Sequence, residues 1–68
     1  MTTAELRKQA QAAADRCEWS QAAELWEQAI EAYPPHHPDN RLAAADLDMM
    51  RGFAKRCRNM AADERVGR

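Results

Sequence analysis

In WSQAAELWEQAIEAYP, residues 19–34, apolar side chains recur three and four positions apart: Trp19, Ala22, Ala23, Trp26, Ala29, Ile30 and Tyr33. That interval is the helical period and collects them on one face, with Leu25 and Ala32 flanking it. Ser20 has the side chain of an N-cap. Pro34-Pro35 stops the helix, because proline has no N–H to donate and disfavours helical backbone in the residue before it. The spacing therefore predicts a helix over 20–33.

Working outward, the preceding segment predicts a helix over 3–17, with Thr2 or Thr3 as cap and Glu5 at the positive end of the helix dipole. Its apolar positions, Leu6, Ala10, Ala13, Ala14 and Cys17, form a single stripe of mostly small side chains. Such a stripe accepts a bulky neighbour, and the two tryptophans supply one. The short connection at Glu18-Trp19 folds the two helices into an antiparallel hairpin. After the loop over 34–40, PPHHPDN, Asp39 or Asn40 caps a third helix over 41–62, leaving 63–68 as a flexible tail. β-branched residues are nearly absent, so no strand is expected. The reading is one all-α domain, an antiparallel helical hairpin followed by a long third helix.

The third helix carries two apolar stripes. Leu42, Ala45, Met49, Phe53 and Met60 form one; Ala43, Leu47, Met50, Ala54, Cys57 and Ala61 form the other. They are displaced by one residue, or about 100° around the axis. A helix packed on a hairpin needs one stripe for the core, so the surplus is expected to meet a partner or a second subunit. Methionine suits adaptable surfaces, being flexible and polarizable. The expected core is Leu6, Trp19, Trp26, Ile30 and Leu42. The expected partner or dimer surface is Tyr33, Leu47, Met49, Met50, Phe53, Arg56 and Met60. Gly52 within the helix costs about 1 kcal/mol relative to alanine and marks either a kink or a close crossing with another helix.

Size points the same way. A core built from 68 residues supplies only about 3–5 kcal/mol without further stapling, so homodimerisation is expected. Charge is uneven: residues 1–33 sum to −3, residues 34–50 to −2 and residues 51–68 to +4. A basic end behind an acidic body suits an antiparallel dimer or an acidic partner surface. The N-terminal residues lack the apolar run of a signal peptide. No stretch approaches the roughly 20 apolar residues that span a bilayer. The expectation is a cytoplasmic chain with reduced thiols.

Catalytic and metal chemistry find little footing. His36 and His37 with Cys17 and Cys57 have the residue types of a zinc site, but the second helix separates Cys17 from the histidines by roughly 20 Å, against zinc bonds of about 2.0–2.3 Å. Neither thiol has a histidine on a neighbouring turn to act as base. No glycine-rich phosphate loop is present. The reading is a non-enzyme without metal or cofactor. Arg51, Lys55, Arg56 and Arg58, with Asn59 to read a base, are the material for a DNA contact. The net charge of −1 opposes the counterion release that drives such binding, so direct nucleic-acid binding is not expected.

Two resemblances bear on these residues. Residues 19–34 resemble the second helix of a tetratricopeptide repeat: Ala22, Trp26, Ala29 and Pro34 stand where that repeat has small, aromatic, small and proline residues. Gln9 and Ala13 stand where its first helix prefers large apolar ones. A solenoid needs about three repeats, so this resemblance implies a helical hairpin and no function. The chain also resembles small bacterial and phage regulators of the ANR and PerC-like type. Ala12, Ala13, Trp19, Ala22, Ala23, Leu25, Trp26 and Ala29 carry that likeness, followed by Asn40, Arg51, Phe53 and Cys57. The glycine usual before the first aromatic is absent, and the later spacing departs from the pattern. The resemblance implies a protein that binds a transcription activator and alters its activity. Phage anti-activators of LuxR-type quorum-sensing proteins are similar in size and helical build. The alternative is a dimeric scaffold or docking module.

Overall fold

A computed structural model describes residues 2–66, with side chains through residue 64. It contains three helices, α1 (Thr3–Asp15), α2 (Trp19–Glu31) and α3 (Arg41–Val66), and no strand among the described residues. The Thr2 side chain caps α1, accepting from the Glu5 backbone N–H at 3.2 Å. Asn40 caps α3, its Oδ1 accepting from the Ala43 N–H at 3.1 Å. Asp39 instead donates its backbone N–H to His37 Nδ1 at 3.1 Å.

Four boundaries differ from the sequence reading: α1 ends at Asp15 and not at 17, α2 spans Trp19–Glu31 and not 20–33, and α3 runs beyond 62. α3 continues past Ala62 to Val66, because residues 63–66 contain neither glycine nor proline to stop it. The expected tail is therefore helical through residue 66, and residues 67 and 68 lie outside the described residues. At the other turn, α2 starts at Trp19 with Glu18 as N-cap, not at Ser20. The cause is how α1 ends. Cys17 adopts a left-handed backbone with φ of 60°. Its N–H bonds the Ala14 carbonyl, and the Glu18 N–H reaches back to the Ala13 carbonyl, both at 2.9 Å. Those paired bonds form a Schellman turn. Glu18 is thereby delivered directly to the start of α2. Its carboxylate meets Arg16 Nε at 3.0 Å and makes no capping bond to α2.

α2 is the central element. Its first turn lies beside Asp15, and Tyr33, just past its end, lies beside Thr3 and Ala4, so α1 runs antiparallel to it. Along α2 and just beyond its end, Ser20 neighbours Ala61 and Ala62, Trp26 stacks on Phe53, and Tyr33 neighbours Ala43 and Asp46. α3 therefore runs antiparallel to α2 as well. The buried set is Leu6, Ala10 and Ala13 from α1, Ala22, Ala23, Trp26 and Ala29 from α2, and Met50, Ala54 and Cys57 from α3. Alanines dominate, so the helices approach closely and Trp26, 5% exposed, fills the space between them. Its ring lies 5.0 Å from that of Phe53, tilted by 33°. Trp19 and Ile30 pack on this core half-buried.

Cys17 holds a conformation that disfavours a β-carbon by about 1–2 kcal/mol. Cys17→Gly removes that strain, and thermal melting should show stabilisation of about 0.5–1 kcal/mol, net of the unfolded-state entropy of glycine. A lower melting temperature would mean the left-handed turn is not what ends α1.

Candidate functional site

α3 resolves the two stripes. Ala43, Met50, Ala54 and Cys57 are buried, and Met50, at 0% exposure, is the largest fully buried side chain. The other stripe faces outward: Leu42 is 85% exposed, Met49 45% and Met60 39%. All the large apolar side chains left exposed among the described residues thus lie on one face of one helix. Two assignments are corrected. Leu42 is not core; it stands about 100° from the buried stripe and carries the most exposed large apolar side chain. Met50 is not surface; it lies on the buried stripe and packs against the hairpin. Ala43, Ala54 and Cys57 on that stripe are small enough for α3 to approach α2 closely, with Met50 fully buried among them.

The remaining expected surface residues divide. Met49, Met60 and Arg56 are exposed, whereas Tyr33, Leu47 and Phe53 are half-buried. Phe53 bridges core and surface, stacked on Trp26 on one side. It also edges a cleft of about 260 Å³, between α1 and α3, lined by Trp19, Trp26, Arg56 and Cys57 among others. A second, more open depression of about 540 Å³ lies by Tyr33, Leu42, Ala45, Asp46 and Met49. The Tyr33 ring meets His36 edge-on at 5.7 Å. Leu42, Met49, Phe53 and Met60 together fall within about 20° of a line along α3 that is roughly 27 Å long.

Asp46 escaped the sequence reading as a site residue, and charge counting alone gave no reason to single it out. In the fold it borders the apolar face and accepts from Arg7 Nη1 at 3.2 Å, tying α1 to α3. On the opposite flank, Arg58 Nε donates to Glu27 Oε1 at 3.1 Å and ties α3 to α2. Both pairs are partly open to solvent, where such bridges contribute about 0–1 kcal/mol. Burial raises the Tyr33 phenol above its ordinary value, and the adjacent Asp46 carboxylate raises it further.

Among the described residues no group of three or more His, Cys, Asp or Glu is arranged to hold a metal ion. No described helix is long and apolar enough to cross a membrane. Comparison with protein-family models, curated proteins and solved structures finds no match to this chain.

The two stripes make opposite demands on mutation. Met50→Ala should cost about 2–5 kcal/mol, whereas Leu42→Ala should change the stability of the monomeric fold by less than about 0.5 kcal/mol; urea titration measures both, and equal losses would refute the orientation of α3. Tyr33 is the one tyrosine in the chain, so its phenolate absorbance titrates without overlap. The folded state holds this proton more tightly than the unfolded chain, so the contribution to stability is complete below about pH 10. It falls as pH rises through the folded value. The titration midpoint should lie above that of the unfolded chain, and a lower one would contradict the packing of Tyr33.

Proposed function

We propose that this chain is a non-catalytic protein that docks on a transcription activator through the outer face of α3 and restrains it. The observation carrying the docking reading is the concentration of exposed Leu42, Met49 and Met60 on one face, with half-buried Phe53 in line. A helix that already satisfies the core with its other stripe and Phe53 gains nothing within the monomer from exposed Leu42, Met49 and Met60. Exposed apolar side chains grouped in this way favour protein contact, and an apolar line along one helix fits a groove or another helix. The choice of a transcription activator of the AraC or LuxR type rests on the resemblance to small bacterial and phage regulators over residues 10–33.

A second reading is a dimeric tetratricopeptide-like scaffold. It is favoured by the packing of α2 against both other helices and by the aromatic cleft at Trp19, Trp26 and Phe53. In that case the cleft is the docking site, and α3 serves assembly.

The test is binding of the purified chain to immobilised activators of the AraC and LuxR types. Leu42→Asp combined with Met60→Asp should weaken binding more than about tenfold, since each buried side chain of this size contributes about 1.5–3 kcal/mol, while the helical circular-dichroism signal persists. Binding to neither class removes the activator reading. Unchanged affinity in the double variant removes the α3 face.

A further inference from the structure

The outer face of α3 has an internal mirror. About residue 51, Leu42 and Met60 are equidistant, as are Asp46 and Arg56, and Met49 and Phe53. Two such helices laid antiparallel about a two-fold axis beside residue 51 bring each residue opposite its mirror mate. Leu42 meets Met60, Met49 meets Phe53, and the Asp46 carboxylate meets the Arg56 guanidinium, each combination occurring twice. In a parallel arrangement Asp46 would face Asp46 and Arg56 would face Arg56, like charge against like. The steps between the apolar members, seven, four and seven residues, are those of a helix-pairing seam.

Three further observations fit this arrangement. Arg56 is exposed and joins none of the ion pairs among the described residues. Asp46 reaches Arg7 through one carboxylate oxygen, Oδ2, and lies beside the Tyr33 hydroxyl; a carboxylate has about four acceptor sites, which leaves room for a second guanidinium. Gly52, next to the mirror point, is exposed, and a β-carbon there would meet nothing within 4 Å. Its φ is not positive. Nothing inside the monomer requires glycine. With Ala45, Gly52 forms a low flank on the side of the seam away from Asp46 and α1, where a second helix has room to come close.

We propose that α3 pairs antiparallel with α3 of a second copy in this register, closed by reciprocal Asp46–Arg56 contacts. The proposal rests on the reading of the outer α3 face as a docking surface and names a second copy as its occupant when no other partner is present. Self-pairing and partner binding then exclude each other.

The test is sedimentation equilibrium with charge reversal. The wild type should have twice the 7.7 kDa mass of one chain. Asp46→Arg and Arg56→Asp should each place like charges together twice per pair, weakening self-association about a hundredfold. Mixed in equal amounts, the two variants regain opposite charges at both contacts, and the heterodimer should form. A wild type that stays monomeric overturns the proposal. So does an Arg56→Asp chain that dimerises as well as the wild type, or a mixture that stays monomeric while both variants remain helical. Should Asp46→Arg lose its helix through loss of the Arg7 contact, Arg56→Asp alone decides. A monomeric wild type that still binds an activator through Leu42 and Met60 removes the pairing but keeps the docking reading; a dimer that binds none removes only the activator.

Discussion

The fold depends on seating one indole. Trp26 must be enclosed on two sides, and a hairpin of ordinary side chains would leave no room for it. The chain answers with alanines: Ala10 and Ala13 on α1, and Ala22, Ala23 and Ala29 beside the indole on its own helix. Phe53 supplies the aromatic contact from α3. Much of the remaining arrangement follows from this packing. α1 brings small residues to the interface, so its backbone approaches α2 closely. α3 likewise brings its stripe of Ala43, Met50, Ala54 and Cys57 inward, and turns Leu42, Met49 and Met60 outward. The apolar excess on the surface is thus a consequence of packing: one stripe fills the crossing, and the other is left outside.

Electrostatics add direction to this packing. The acidic first half and basic last segment meet as cross-helix pairs, Glu27 with Arg58 and, with the signs reversed, Arg7 with Asp46. One pair lies on each flank of α3. Individually they are weak, but together they oppose rotation of α3 about its own axis, a motion the smooth alanine surfaces resist poorly. The face that α3 presents to solvent is therefore held in place by charges at its borders.

The helical content was legible because its signals are local. Pro34-Pro35, the pair of candidate caps at Asp39 and Asn40 and the three-and-four spacing require no knowledge of what packs where. The orientation of α3 was not legible by the same means, since both stripes are apolar and periodicity assigns no partner to either. What separates them is size. The buried stripe is the one richer in alanine, set opposite a tryptophan, and comparing the two stripes as wholes would have put Met50 inside and Leu42 outside. The turn at Cys17 was hidden for another reason. A left-handed residue is ordinarily announced by glycine or asparagine, and cysteine gives no such signal. That one conformation also moved the start of α2 from Ser20 to Trp19. Asp46 was missed because its significance is tertiary: it matters through Arg7 and through the face it borders.

The two thiols lie on opposite sides of the folding boundary. Cys17 is exposed, whereas Cys57 is buried, and burial raises its pKa, with Arg56 opposing the shift. Since the thiolate is the reacting species, an alkylating reagent is hindered at Cys57 twice, by access and by ionisation. The second thiol becomes available when α3 lifts from the hairpin. The chain thus carries its own gauge: when reclosing is faster than alkylation, the lag between the first and second alkylation reports the fraction of time the long helix spends off its seat, with no residue changed.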